Sequence, residues 1–190
     1  MPRLFTGIEI PEEIREALSA LEMPIDGASW IDEDDLHLTL RFFGDIQPAQ
    51  ERDLRDLLET ADADAFSLKI GGLGTFGAEP NSLYANVESN PGLEALARAN
   101  DRAARGAGLP AAKRPFKAHI TLARLNHADP VKLARFMALN AAIAFEPIFV
   151  HRFALFSSRP RTGGGPYVIE ELYPLRGGLG AGEDEDGNPW

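Results

Sequence analysis

Two short segments of the chain repeat the same chemical layout, His37-Leu38-Thr39-Leu40 and His119-Ile120-Thr121-Leu122. Side chains alternate between the two faces of a β-strand, so in each segment the imidazole and the hydroxyl two residues later share one face. We therefore expect two buried strands, each presenting one histidine and one threonine. If these strands pair about a pseudo-twofold axis, two imidazoles and two hydroxyls converge on one point. Such an arrangement suits acid and base catalysis on a phosphoryl group.

A pair of imidazoles can perform both proton transfers that opening a cyclic phosphodiester requires. The pKa of free imidazole is about 6.5, so one ring can accept a proton from the attacking water near neutral pH. The other ring, protonated beside the phosphate, can donate a proton to the departing ribose oxygen. The hydroxyls of Thr39 and Thr121, together with an arginine, can hold the nonbridging oxygens. This scheme requires no metal and no other cofactor.

A metal site and a serine nucleophile are the main chemical alternatives. Imidazole is a common zinc or iron ligand, but neither segment has a carboxylate or a second histidine at ligand spacing. The sequence contains no Gly-x-Ser-x-Gly motif, no P-loop and no cysteine. A single His-x-Thr segment is more often structural than catalytic, whereas two copies on equivalent strands favour catalysis. His127 and His151 lack such companions, and we expect surface or structural roles for them.

The charge distribution limits the class of ligand. A net charge of −10 opposes binding to a long polyanion, because such binding depends on Lys and Arg side chains that neutralise phosphates. Acidic residues are concentrated at 32–35 and 183–186. Basic residues gather near the second segment: Lys113, Arg114, Lys117, Arg124, Arg159 and Arg161. We therefore expect a local basic mouth that binds a small phosphate or the end of a nucleic acid.

The absence of cysteine favours a reducing cytoplasm, and no apolar run resembles a signal peptide or a membrane span. These features predict a soluble cytoplasmic protein without a membrane partner. The sequence shows no recognisable interface stripe, so we expect a monomer.

Hydrophobic periodicity predicts alternating strands and helices in two comparable halves. Strands are expected at 3–9, 36–43, 66–73, 83–87, 116–123, 144–156 and 167–173, and helices from Pro11 and at 49–61, 93–107 and 131–139. The glycine-rich stretch 71–77 is interpreted as a bend. Residues 1–176 are thus predicted to form a single bilobal α+β domain with a cleft between sheets. The acidic, glycine-rich tail 177–190 is predicted to be disordered.

Several short sequence segments, in their order along the chain, resemble those of one known family. The two His-x-Thr segments are similar to the signature of the 2H phosphoesterase superfamily. Further blocks resemble the RNA 2′,3′-cyclic phosphodiesterases, historically called 2′-5′ RNA ligases: Arg3-Leu4-Phe5, Trp30 before the first segment, Arg41-Phe42-Phe43-Gly44 after it, Leu83-Tyr84-Ala85-Asn86-Val87, and Ala123-Arg124 after the second segment. The likeness spans residues 3–175, with Ala118 where the family often has proline before the second histidine.

The resemblance implies two antiparallel β-sheets, related by pseudo-twofold symmetry, that face a central cleft with helices outside. It also implies hydrolysis of a 2′,3′-cyclic phosphate at an RNA end or in a small nucleotide to a 2′-phosphomonoester. In that reaction His37 would be the proton donor and His119 the proton acceptor, and Thr39, Thr121 and Arg124 would bind phosphate. A 2′-5′ ligase activity would be the reverse reaction at the same site.

Two arginines are candidates for binding the phosphate, and two aromatic residues are candidates for stacking on a base. Strict alternation places Arg41 on the face of His37 and Thr39, but it places Arg124 on the face opposite His119 unless the strand twists, bulges or ends after Leu122. Arg124 is therefore expected by resemblance, and Arg41 by alternation. Trp30 and Tyr167 are candidates for stacking on a base. An alternative function is a nucleotide or RNA-end binding module without turnover.

Overall fold

The computed structural model describes residues 3–158 and 165–178, and all statements on the fold concern these residues. The strands are β1 Arg3–Glu9, β2 Ala28–Trp30, β3 His37–Asp45, β4 Phe66–Leu68, β5 Ile70–Phe76, β6 Ser82–Val87, β7 His119–Leu125, β8 Ile148–Val150, β9 Arg152–Ser158 and β10 Val168–Pro174. The helices are α1 Glu12–Ser19, α2 Pro48–Glu59, α3 Pro91–Gly106 and α4 Pro130–Leu139, with a short 3₁₀ turn at Glu33–Asp35.

The strands form two antiparallel halves that meet at the two histidine strands. One half has the order β10-β9-β1-β3, and the other has the order β7-β6-β5 with β2 paired to β7. In the described chain, β3 and β7 pair at a single position, Leu38 opposite Ile120. The short strands β4 and β8 form a separate pair. The expected α+β class with two antiparallel sheets is confirmed, and each half contributes one His-x-Thr segment to the seam.

The core fixes the two segments from behind. Leu38 and Ile120, which lie between the histidine and the threonine of each segment, are 0% exposed. The opposite face of each strand is thereby left to the imidazole and the hydroxyl, as alternation requires. Asn90 caps the N-terminus of α3, because its side chain accepts a hydrogen bond from the backbone N–H of Leu93, and the helix buries seven residues. This capped helix packs against the first-half strand β3 and against α2.

The glycine-rich stretch 71–77 lies mostly within a strand, so its interpretation as a bend is wrong. β5 runs from Ile70 to Phe76 and pairs with β6. A Cβ atom on Gly74 would lie 2.5 Å from the ring of Tyr84. Glycine is therefore present because an aromatic ring of the neighbouring strand approaches the backbone closely.

Other elements also differ from those expected. The strand expected at 66–73 is divided into β4 and β5, which join different sheets. The single apolar strand expected at 144–156 consists of β8 and β9, which separate at His151 and join different sheets. β2 was not expected, since three residues are too few to show an alternating pattern. Residues 179–190 of the predicted disordered tail, and the basic residues Arg159 and Arg161, lie outside the described residues. No helix in the described part of the chain is long and apolar enough to cross a membrane.

Candidate active site

The seam between the two halves contains a cavity of about 200 Å³. Both histidines and both threonines of the repeated segments line it, and so do Arg124 and Tyr167. Phe5, Ile31, Asp35 and Phe42 complete its wall. The structure therefore brings together the four side chains that the repeat places on equivalent strands.

Each imidazole is held by the same backbone contact. The Nδ1 atom of His37 lies 2.7 Å from the carbonyl oxygen of Asp35, and the Nδ1 atom of His119 lies 2.7 Å from that of Lys117. A carbonyl oxygen can only accept, so Nδ1 carries the proton in both rings and Nε2 is the nitrogen that titrates. The Nε2 atom of His37 is 2.9 Å from the hydroxyl of Thr39. Both rings are thus fixed in the tautomer that acid and base catalysis requires.

Aromatic side chains surround both imidazoles. The ring of His37 has its centroid 4.7 Å from Phe5, 5.7 Å from Phe156 and 4.9 Å from Tyr167. Gly7 of β1 lets the strands and the aromatic rings approach closely, because a Cβ there would lie 2.7 Å from the carbonyl oxygen of Leu38 and 3.3 Å from the Phe156 ring.

The second imidazole has a smaller aromatic shell. The ring of His119 packs edge-on against Phe76 at 4.8 Å and against Tyr84 at 5.4 Å. Burial is the main cause that lowers the pKa of both histidines below the ordinary value. In the ligand-free protein the two rings therefore favour the neutral form at neutral pH.

Charged neighbours make the two nearly symmetric histidines different. The carboxylate of Asp35 acts against burial and raises the pKa of His37, although the net direction remains downward. The ammonium group of Lys117 adds to burial and lowers the pKa of His119 further. That ammonium donates a hydrogen bond to the Tyr84 hydroxyl at 2.8 Å and lies 4.8 Å from the centre of the Phe76 ring. The Asp35 carboxylate thus favours protonation of His37, whereas the Lys117 ammonium disfavours protonation of His119.

A β-bulge in β7 turns Arg124 into the cavity. Thr121 and Ala123 oppose adjacent residues of β6, so Leu122 is an extra residue in the strand. Such a bulge reverses the alternation of faces that follows it. Arg124 therefore shares the cavity with His119. Alternation allowed this only if the strand twisted, bulged or ended after Leu122, and the structure has a bulge at Leu122.

A matching bulge in β3 turns Arg41 away, so the expectation that Arg41 shares the face of His37 is wrong. Thr39 and Arg41 oppose adjacent residues of β1, and Leu40 is the extra residue. The Arg41 guanidinium forms an ion pair of 3.2 Å with Asp101 of α3. The next residue, Phe42, takes the position in β3 that Arg124 takes in β7, and it lines the cavity.

Of the two aromatic candidates for base stacking, Trp30 is partly buried and packs against the core. Its Nε1–H donates to the carbonyl of Met23 at 3.1 Å, and its ring packs against Phe136 of α4 at 5.4 Å. Trp30 does not line the cavity, whereas the neighbouring Ile31 does. The prediction for Trp30 is wrong because its apolar ring is used for packing.

Tyr167 reaches the cavity as expected. Its backbone N–H donates to the Asp35 carboxylate at 2.8 Å, and its ring meets the His37 ring edge-on. Burial raises the pKa of the Tyr167 hydroxyl, and Arg124 acts in the opposite direction through its charge and a hydrogen bond. Asp35 therefore connects His37 and Tyr167, and Tyr167 connects this pair to Arg124.

Phe42 was not among the site residues expected from the sequence, because core packing is the more common role of a phenylalanine. Its side chain is 46% exposed at the rim of the cavity. Its position five residues after His37 matches that of Arg124 after His119, and this correspondence was the available signal.

The two remaining histidines, His127 and His151, do not line the cavity. His127 lies on the surface, 3.4 Å from a carboxylate oxygen of Glu79, in agreement with its expected surface role. Within residues 3–158 and 165–178, no group of three or more His, Asp or Glu side chains has an arrangement that could hold a metal ion.

Comparison with known proteins identifies the family. A family model described as the 2′-5′ RNA ligase superfamily matches residues 10–159. The chain is 31% identical over 128 residues to the RNA 2′,3′-cyclic phosphodiesterase of Geobacillus stearothermophilus, a match that covers 63% of this chain and 41% of that protein. It is 33% identical over 130 residues to the RNA 2′,3′-cyclic phosphodiesterase of Bacillus subtilis, covering 65% of this chain and 71% of that protein.

A solved structure agrees with the sequence comparison. The crystal structure of Escherichia coli LigT in complex with 3′-AMP superposes with a TM-score of 0.71 at 27% identity, covering 93% of this chain and 99% of that chain. The resemblance inferred from the His-x-Thr segments and their flanking blocks is confirmed. The chain belongs to the 2′-5′ RNA ligase superfamily and is a relative of the RNA 2′,3′-cyclic phosphodiesterases.

Proposed function

We propose that the protein hydrolyses 2′,3′-cyclic phosphodiesters at RNA ends or in nucleotides to 2′-phosphomonoesters. The observation that carries this proposal is the pair of imidazoles, each fixed through Nδ1 by a backbone carbonyl and each lining one small cavity with a threonine. The names of the relatives from G. stearothermophilus and B. subtilis and the 3′-AMP bound to LigT support a nucleotide phosphodiester as the substrate.

In the proposed reaction, His119 is the proton acceptor and His37 the proton donor. His119 Nε2 removes a proton from water, and the water oxygen forms a bond to phosphorus while the bond from phosphorus to the 3′ oxygen breaks. His37 Nε2 gives its proton to that oxygen, which leaves as a 3′ hydroxyl. The Asp35 carboxylate near His37 and the Lys117 ammonium near His119 support this direction of proton flow. A 2′-5′ ligase activity would use the same cavity with a 5′ hydroxyl in place of water: its oxygen would bond to phosphorus, and the 3′ oxygen would leave as a hydroxyl.

Thr39, Thr121 and Arg124 are proposed to hold the phosphate. Their side chains line the cavity from both halves. The Arg124 guanidinium can form paired hydrogen bonds to two nonbridging oxygens and offset negative charge that develops in the transition state. Arg41 is not included, because its guanidinium is paired with Asp101.

The proposal is tested by the position of phosphate in the product. The protein is incubated with 2′,3′-cyclic AMP and with an oligoribonucleotide ending in a 2′,3′-cyclic phosphate, with and without EDTA. We expect a 2′-phosphate product at a rate that EDTA leaves unchanged. A 3′-phosphate product would overturn the assignment of the leaving oxygen. Tight nucleotide binding without turnover would show a binding module instead.

The pH dependence should reflect the lowered pKa of both imidazoles. Because kcat/KM reports the free protein, its alkaline limb should lie below about pH 6.5, where His37 loses the proton it must donate. The kcat profile reports the complex, in which the bound phosphate anion favours protonated His37, so its alkaline limb should lie at higher pH. Rates of cyclic AMP hydrolysis between about pH 4 and 9 measure both profiles.

The variant Lys117→Met tests whether His119 determines the acidic limb of the kcat/KM profile. Removing the ammonium group raises the pKa of His119, which must be neutral to act, so the acidic limb of kcat/KM should move to higher pH. Arg52→Met, which removes an exposed charge on α2, is the matched control and should leave both limbs in place. An acidic limb that does not move in Lys117→Met would contradict the assignment of His119 as the acceptor.

A further inference from the structure

A groove of about 1380 Å³ opens directly from the catalytic cavity. The two spaces share Thr39, Phe42 and His119. The groove runs between the end of β3, the exposed side of α3 and the connection of residues 109–118 that leads from α3 into β7. A small-molecule site usually occupies about 300–1,000 Å³. The groove thus exceeds what the terminal nucleotide alone would fill.

The carboxylates in the groove are already paired with cations. Asp101 binds Arg41 at 3.2 Å and Arg105 at 3.1 Å. Glu94 lies 3.6 Å from Arg98 on the same helix. The acidic residues of the lining therefore contribute little net negative potential.

The connection 109–118 supplies positive charge that has no carboxylate partner among the described residues. Lys113 and Arg114 are exposed in the groove lining, and neither has an ion pair with the described part of the chain. Lys117 follows on the same segment, and its ammonium contacts the Tyr84 hydroxyl rather than a carboxylate. A protein of net charge −10 thus presents a row of cations on the wall that leads to the histidines.

We propose that this groove holds the RNA strand that precedes the terminal cyclic phosphate, with Lys113 and Arg114 contacting its backbone phosphates. The proposal rests on the proposed function and extends it, because it makes an oligoribonucleotide rather than a mononucleotide the preferred substrate. A strand that ends at the histidines must leave the cavity, and the groove shares three residues with it. The exposed Phe42 ring at the junction offers a surface on which a base can stack.

The test compares two substrates in one double variant, Lys113→Ala/Arg114→Ala. Loss of two exposed phosphate contacts should lower kcat/KM for an oligoribonucleotide 2′,3′-cyclic phosphate by roughly tenfold. The value for 2′,3′-cyclic AMP should remain that of the wild type, because a mononucleotide does not reach the groove. The advantage of the oligonucleotide in the wild type should also fall as salt is raised.

A matched control separates a local effect from the change in net charge. Arg52→Ala/Arg135→Ala removes two exposed cations from α2 and α4, outside the groove lining. This variant should retain the oligonucleotide preference. Equal losses on both substrates in Lys113→Ala/Arg114→Ala, no loss on either, or an equal loss in the control would each overturn the groove proposal.

A binding measurement keeps the groove proposal testable if the wild-type protein hydrolyses neither substrate. The affinity of a fluorescent oligoribonucleotide with a 3′-phosphate is measured by anisotropy for the wild type and both double variants. Weaker binding in Lys113→Ala/Arg114→Ala alone would support the groove although the proposed reaction had failed. Equal affinities in all three proteins would reject the groove.

Discussion

Replacing either His37 or His119 by alanine is expected to lower kcat for 2′,3′-cyclic AMP hydrolysis by about 10²- to 10⁴-fold, the usual contribution of one positioned acid or base. Each imidazole is fixed by its own backbone carbonyl, and in the proposed mechanism each performs a separate proton transfer, so neither can replace the other. Because both act in one step, the double variant should lose much less than the product of the two single effects.

His127→Ala is the matched control for these variants. Its imidazole is exposed beside Glu79 and does not line the cavity, so kcat should stay at the wild-type value. Circular dichroism and thermal unfolding show whether each variant is folded. A folded His37→Ala or His119→Ala protein with full activity would exclude the mechanism with two imidazoles.

A substrate with a good leaving group separates the donor from the acceptor. A phosphodiester that releases nitrophenolate needs no acid, so its hydrolysis should be far less sensitive to His37→Ala than the hydrolysis of 2′,3′-cyclic AMP. The loss in His119→Ala should persist, since water must still be deprotonated. The opposite pattern would reverse the two roles.

The placement of the two histidines and two threonines around one cavity could be predicted from the sequence because it depends on a local pattern. Histidine and threonine two residues apart share a face in any extended strand, and the repeat of this pattern indicates two equivalent strands. The same alternation places Leu38 and Ile120 on the opposite face, where both are buried in the core. These relations hold within a few residues, so no knowledge of the rest of the fold was needed.

The positions just beyond each motif could not be predicted by alternation. Leu40 and Leu122 are extra residues in their strands, and they exchange the faces of the residues directly after them, Arg41 and Phe42 in β3 and Ala123 and Arg124 in β7. A bulge depends on how the neighbouring strand pairs, and the residues of one strand do not record that pairing. For this reason alternation selected Arg41, whereas the resemblance selected Arg124 and agreed with the structure.

Packing between distant segments explains the other differences. Trp30 looked free to stack on a base, but α4 brings Phe136 against its ring. The glycines of β5 looked like a bend, but Gly74 makes room for Tyr84 of β6. The groove depends on where the connection of residues 109–118 passes in relation to α3. The sequence indicated the basic charge of that connection but not the space beside it.

Arg124→Ala should lower kcat for 2′,3′-cyclic AMP by about 10²- to 10³-fold, the effect of losing one preorganised group that stabilises transition-state charge. Its guanidinium lines the cavity and interacts with the Tyr167 hydroxyl, so it is held before the substrate binds. Arg124→Lys keeps the charge but loses the planar pair of donors, and its kcat should lie between those of the wild type and Arg124→Ala.

Arg41→Ala provides the comparison that isolates the effect of the bulges. Arg41 and Arg124 both follow a His-x-Thr segment, but Arg41 is turned toward Asp101 and should affect mononucleotide turnover far less than Arg124. Rates for the variants at saturating 2′,3′-cyclic AMP measure this difference. Equal losses in Arg41→Ala and Arg124→Ala would mean that both guanidinium groups act on the phosphate. In that case the bulge at Leu40 would not keep Arg41 away from the bound phosphate.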